Sequence, residues 1–376
     1  MITAKAAWTR ERRQPMTNRY EELLATKKWL LADGATGTNL FEVGLQTGDA
    51  PELWNLEQPQ KIYDLQKSFV DAGSDIILTN TFGGTRNRLK LHKADKQVYE
   101  LNKAAAEISC KVADSVERTV AVGGSIGPTG DILEPLGPLS LEDCVAAFRE
   151  QAIALKDGGV DAFWIETMSS EEEVRCAVEA VKDLGLPIVT TLSFDTNGRT
   201  MMGITPEQLA SGSRDWPVRP NGYGSNCGVG PAEMVAALLN MGHGSEDSDV
   251  IIVKSNCGIP EYMDGKIVYS GTPDLMAEYA RMAVDAGARI IGGCCGTTPA
   301  ILNAMRKALD SHDKRAKPSL DEVVSKLGDI SFGAQEQNSA GPLGIKPESA
   351  TGRGRRRKGR SPERAAADDG KFPGGV

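Results

Sequence analysis

The fold this sequence predicts is α/β: a closed (β/α)8 barrel of the TIM type. Three observations lead there. Eight short β-rich runs alternate with stretches rich in Ala, Glu, Lys and Leu. Repeated βα units of this kind give a parallel sheet, and eight of them in roughly 290 residues suit a closed barrel. No Gly-rich dinucleotide fingerprint follows the first run, as a doubly wound open sheet would suggest.

Taken in order, the strand signals fall at 29–33, 75–80, 120–125, 162–167, 188–194, 222–227, 250–256 and 289–294. Each is a short apolar or β-branched run bounded by turn residues. Helical stretches lie between them at 59–72, 96–116, 141–157, 170–184, 231–241 and 273–286, with a weaker one near 206–213 and a closing one at 299–309. The barrel domain is assigned to residues 16–312. Residues 1–15 are basic and polar, carry Lys5, Arg10, Arg12 and Arg13 but no apolar signal core, and read as a disordered arm. Met1 and Met16 both stay open as the start. Residues 313–376 read as a mostly disordered tail rich in Gly, Pro and Arg, apart from a short amphipathic piece at 320–327. Its basic cluster of Arg353, Arg355, Arg356, Arg357, Lys358 and Arg360 reads as solvated; contact with nucleic acid or an acidic partner is the alternative.

Composition narrows the function classes. The 376 residues hold 43 Lys and Arg against 51 Asp and Glu, a net charge of −8, so nucleic acid is not expected as the main partner. No apolar run approaches the roughly 20 residues of a membrane span, so no membrane partner is expected. Seven cysteines are too few for a disulfide scaffold, and the odd count points to a reducing compartment, the cytoplasm.

On this barrel, chemistry belongs at the C-terminal strand ends. Those ends hold Asp33, Asn80, Ser125, Glu166, Asp195, Cys227, Asn256, Cys294 and Cys295. Three sulfurs stand out. Cys227 closes the sixth strand, and the adjacent Cys294 and Cys295 close the eighth, two positions away around the barrel. Three thiolates with one open position describe a catalytic zinc site. Such a site is a weak Lewis acid for water but suits another thiol, whose pKa it lowers, so alkyl transfer onto a bound thiol is the expected reaction. A structural zinc or thiol redox sensor is the reading from another class. Cys110, Cys144 and Cys176 each fall on a helix and read as small buried hydrophobes. Cys257 stays open between a spare ligand, a neighbouring thiol and packing. His92, His243 and His312 avoid the strand ends, and no nucleophile elbow or phosphate loop occurs.

Six ordered motifs make these residues recognisable: DGATGT at 33–38, TNTFGG at 79–84, GSIGPTG at 124–130, IETMSS at 165–170, SNCG at 225–228 and GGCCGTTP at 292–299. Together they resemble the homocysteine S-methyltransferase family over about 30–309. The segments ADGATGTNLF, PELWN, NCGIPE and YSGTP look most like its stand-alone bacterial betaine-dependent members. The resemblance implies zinc on Cys227, Cys294 and Cys295, with homocysteine as the fourth, thiolate ligand. It implies that Glu166 binds the substrate's amine, and that backbone amides around Asp33, Gly34, Ala35 and Thr36 receive its carboxylate. Asn80, Phe82, Ser125 and Asn226 are expected as rim contacts. More than one oligomeric state occurs in the family, a homo-oligomer among them.

A quaternary ammonium donor favours an aromatic cage. Trp54, Trp164 and Tyr223, with Phe82, are the candidates. The aromatics that animal betaine enzymes carry beside the amine-binding Glu and the second-strand Phe are Thr167 and Gly83 here, so that cage does not carry over. No corrinoid-binding DxHxxG segment occurs. The expected reaction is methyl transfer from glycine betaine to homocysteine. S-methylmethionine, a dimethylsulfonio compound, or a methyl-corrinoid on a separate protein are the alternative donors.

Overall fold

A computed structural model describes residues 18–263 and 266–340. The arm at 1–15 and the basic cluster at 353–360 lie outside these residues. The barrel strands are β1 (Leu30–Leu31), β2 (Ile76–Leu78), β3 (Ala121–Ile126), β4 (Ala162–Met168), β5 (Ile188–Leu192), β6 (Gly222–Cys227), β7 (Ile251–Ser255) and β10 (Ile290–Gly293). All pair in parallel in the order β1-β10-β7-β6-β5-β4-β3-β2, and a bridge from Ala32 to Ile76 joins the two ends. A short hairpin, β8 (Pro260–Met263) and β9 (Lys266–Tyr269), was not foreseen; it follows β7 on the rim side.

The helices are α1 (Arg19–Thr26), α2 (Thr36–Glu42), α3 (Trp54–Glu57), α4 (Pro59–Asp71), α5 (Arg86–Lys90), α6 (Val98–Ala113), α7 (Leu141–Asp157), α8 (Glu171–Val181), α9 (Pro206–Gly212), α10 (Pro231–Gly244), α11 (Pro273–Ala286), α12 (Pro299–Asp310), α13 (Leu320–Leu327) and α14 (Phe332–Ser339). One local device starts many of them. Ser140, Ser170, Thr205, Thr272 and Thr298 each accept the backbone N–H three residues on, and a proline follows the last three. Each such cap is worth about 1 kcal/mol, and the proline φ is already helical. Among the described residues no helix is long and apolar enough to cross a membrane.

The barrel interior is a packed plug. Leu30, Ala32, Ile76, Leu78, Ala121, Ala162, Trp164, Val189, Ile252 and Ile290 fill it, all essentially without solvent contact. Trp164 fits because β3 carries glycine beside it: a Cβ on Gly123 would lie 2.6 Å from Leu78 and 3.2 Å from the Trp164 ring. The plug fills the lower part of the barrel, and the cavity that reaches the C-terminal strand ends lies above it.

The boundary at 312 needs correction. Residues 313–340 continue the folded unit: Val323, Leu327, Ile330 and Ala334 are buried against the outer layer. Lys326 pairs with Glu278 at 3.0 Å, Asn338 Nδ2 donates to the Ala236 carbonyl at 3.1 Å, and the Gly333 amide to Asn197 Oδ1 at 2.8 Å. A stripe too short to be stable alone becomes helical because α10 and α11 cover it.

Candidate active site at the barrel rim

A cavity of about 490 Å³ opens at the C-terminal ends of the strands. Its wall includes Asp33, Gly34, Ala35 and Thr36 after β1, Asn80 and Phe82 after β2, Ser125 of β3 and Glu166 of β4, and it reaches Cys227, Cys294 and Cys295.

The three cysteine sulfurs lie within 4.8 Å of one another. Backbone geometry aims them. Cys227 takes φ +65°, a left-handed conformation that costs an L-residue about 1–3 kcal/mol. Asn256 braces both cysteine loops: its Nδ2 donates to the Gly228 carbonyl at 2.7 Å, and its Oδ1 accepts the Cys295 amide at 3.0 Å. Hydrogen bonds from Cys294 and Cys295 draw the Cys227 thiol well below its ordinary pKa, and the donation pushes the two donors up. A sulfur trio sharing its protons this closely is a ready cation site.

Glu166 is buried beside this trio. Its Oε1 accepts Ser125 Oγ at 2.5 Å. Burial raises its pKa to about 7; Lys254 works against the rise and Cys294 adds to it. Thr167, the next residue, is β-branched yet takes φ +59°. Asn226 holds it there, accepting the Thr167 amide at 2.8 Å and donating to Thr167 Oγ1 at 2.7 Å. The same Oδ1 accepts Thr191 Oγ1 at 2.7 Å, and Nδ2 lies 3.9 Å from Cys294 Sγ. Asn226 thus locks the Glu166 turn to the cysteines from below and does not line the cavity.

At the floor of the cavity, Lys254 Nζ donates to Asp33 Oδ1 at 2.6 Å, and both side chains are almost fully buried. Burial disfavours the ammonium, but Asp33, Glu166 and Cys294 outweigh it and raise the Lys254 pKa. Asp33 Oδ2 also accepts the Leu78 amide at 2.8 Å, so this carboxylate ties β1 to β2 and β7. In the following loop, the Ala35 amide donates to the Thr297 carbonyl at 3.2 Å. Gly34 is required there, because a Cβ would sit 2.6 Å from that same carbonyl.

The sequence profile of the homocysteine S-methyltransferase family matches residues 30–309, the whole barrel with its rim. The chain belongs to the homocysteine S-methyltransferase family. Among solved structures, the metallated form of Escherichia coli homocysteine methyltransferase MmuM superposes with a TM-score of 0.64 at 24% identity, over 77% of this chain and 99% of that one. Its oxidized form gives 0.63 at 24% identity over the same shares. At this identity the likeness shows the fold.

In this homocysteine S-methyltransferase, three expected donor-site aromatics lie elsewhere. Trp54 packs with Leu40, Leu45, Ile62 and Ile108, its ring 4.4 Å from Lys61 Nζ. Trp164 shares the inward face of β4 with Glu166 but sits one layer deeper, inside the plug. Tyr223 lies at the start of β6, about 13 Å of strand below Cys227, where its hydroxyl donates to Asp249 Oδ2 at 2.6 Å. Phe82 does line the cavity, together with Phe41. Asn80 is on the wall, but its amide donates to the Pro51 carbonyl at 2.8 Å and to Asn55 Oδ1 at 2.9 Å, holding the neighbouring loop. Cys257 is fully buried, and burial pushes its thiol up to about 11. Its amide donates to the Cys295 carbonyl at 2.8 Å, so it serves the site through its backbone.

Sequence reading placed Asn256 at a strand end without a role, and missed Lys254, Glu52 and Arg88. Lys254 carried a signal: a lone cation in the apolar run VIIVKS. Glu52 stands in the PELWN segment, but nothing local says that its carboxylate folds back onto the Gly83 amide at 2.6 Å.

Proposed function

We propose that this enzyme transfers a methyl group from glycine betaine to the sulfur of L-homocysteine, giving methionine and dimethylglycine, with zinc held by Cys227, Cys294 and Cys295. One observation carries this reading: three sulfurs within 4.8 Å of one another face the same cavity as a buried carboxylate, Glu166. Among the described residues no fourth Cys, His or carboxylate joins the sulfur group. That favours a site completed by substrate over a closed structural zinc. Zinc, when bound, would lower the pKa of a substrate thiol so that it reacts as a thiolate near neutral pH.

The chain's own residues do the positioning. The substrate ammonium meets Glu166, which Ser125 fixes through one oxygen. Its carboxylate falls to the backbone amides that open α2, at Thr36 and Gly37, because the Ala35 amide already serves Thr297. The methyl carbon is then approached in line by the sulfur, and fixed geometry supplies much of the rate. Dimethylglycine leaves as a neutral amine, so no general acid is needed. All seven cysteines are free, which suits a reducing compartment such as the cytoplasm.

The test is methionine formation by purified, zinc-loaded protein from homocysteine and glycine betaine, with Cys295→Ala as control. Turnover in the wild type, falling at least about 1,000-fold in the variant, is the expected result. Zinc-loaded protein that forms methionine only from S-methylmethionine, a sulfonio acid or a methyl-corrinoid protein would overturn the donor.

A further inference from the structure

The charged groups that line the cavity are unequally satisfied. Asp33 and Lys254 satisfy each other, Glu166 has Ser125, Glu52 has the Gly83 amide, and Asp49 accepts the Gln46 amide at 3.0 Å. Arg88, on α5, differs. It lines the cavity, it is only partly exposed, and its guanidinium makes no hydrogen bond or ion pair with any described residue. Space is kept for it. A Cβ on Gly130, the glycine that closes GSIGPTG, would lie 3.1 Å from Arg88 Nη1. Beside it on the same wall stand the Phe82 ring, 38% exposed, and the Glu52 carboxylate.

A guanidinium that makes no hydrogen bond in a concave site, its charge shared only with nearby Glu52, is an anion receptor, and its planar fork fits a carboxylate. An aromatic face and a carboxylate next to it fit an onium cation. Each candidate small donor is a zwitterion with both groups. We propose that Arg88 anchors the carboxylate of the methyl donor, which makes the donor an onium acid whose cation lies against Phe82 and Glu52. This rests on the reading that the cavity binds donor and homocysteine together. It also gives the enzyme a donor site that needs no aromatic at Gly83 or Thr167.

The experiment uses full-length, zinc-loaded enzyme and four donors. Glycine betaine, dimethylsulfonioacetate and S-methylmethionine carry a carboxylate; trimethylsulfonium does not. Arg88→Gln is expected to raise KM for every carboxylated donor that the wild type uses by about 10- to 100-fold, with the homocysteine KM and trimethylsulfonium turnover within about twofold. Arg88→Lys falls between, because it keeps the charge and loses the fork. Equal losses with trimethylsulfonium, or no loss at all, would overturn the proposal. Turnover with a sulfonium acid but not with betaine, lost selectively in Arg88→Gln, would overturn the betaine reading and uphold the Arg88 assignment. Wild-type enzyme that accepts a methyl group only from trimethylsulfonium or a methyl-corrinoid would overturn the Arg88 assignment itself.

Discussion

Both ends of the barrel bury carboxylates, yet they treat them differently. At the base, Asp75 accepts the Leu31 amide at 2.9 Å and pairs with Lys27 at 2.5 Å and Arg306 at 3.3 Å. Asp161 accepts the Val122 amide at 2.7 Å and both ends of a contact from Arg19 Nε, at 3.0 and 3.1 Å. Every oxygen there has a donor from the protein. At the rim, Glu166 has one hydroxyl donor, Arg88 makes no hydrogen bond or close ion pair with a described residue, and Thr167 and Cys227 hold left-handed backbone. Closed networks fasten strands, whereas incomplete ones are left for a ligand to finish.

Substitutions at the two ends should therefore separate stability from function. Asp75→Ala leaves Lys27 unpaired and Arg306 with Asp310 alone around a cavity, and is expected to lower unfolding free energy by about 3 kcal/mol with the homocysteine KM unchanged, as read by denaturant titration and steady-state kinetics. Glu166→Gln should do the reverse. Homocysteine KM rises by about 10- to 100-fold. Stability moves with pH in a defined sense. The folded pKa of about 7 lies above the ordinary value of 4.5, so the protonated carboxyl's contribution is complete below pH 4.5 and lost as pH rises through 7. Zinc-free Glu166→Gln is thus expected to match the wild type at pH 4.5 and to exceed it by up to about 3 kcal/mol at pH 8. Equal stabilities at pH 8 would show that Glu166 is not strained by burial.

The smallest effect belongs to the outer layer. Ending the chain after residue 312 uncovers the faces that Val323, Leu327 and Ile330 protect. The expected cost is about 2 kcal/mol, a fall of several degrees in Tm, with turnover per folded molecule retained. Unchanged melting would mean that α13 and α14 do not dock in solution.

What could be read beforehand follows the range of the interactions. The eight βα units are written in local patterning, and the convergence of the cysteine trio was legible because residues at strand ends need only the fold to bring them together. The aromatics were misread because their depth along a strand decides their neighbours. Trp164 lies two residues before Glu166, one layer lower, and Tyr223 four before Cys227. Helix α14, FGAQEQNS, has too few apolar residues to announce itself and exists through contacts with α10. The networks of Asn226, Asn256 and Glu52 join residues far apart in the chain, and no local pattern encodes them.

The central claim is that substrate completes the cysteine site. X-ray absorption at the zinc edge, on the zinc-loaded protein with and without L-homocysteine, tests it most directly. Three sulfur neighbours rising to four on addition of homocysteine is the predicted result. A sulfur count that does not change would contradict it.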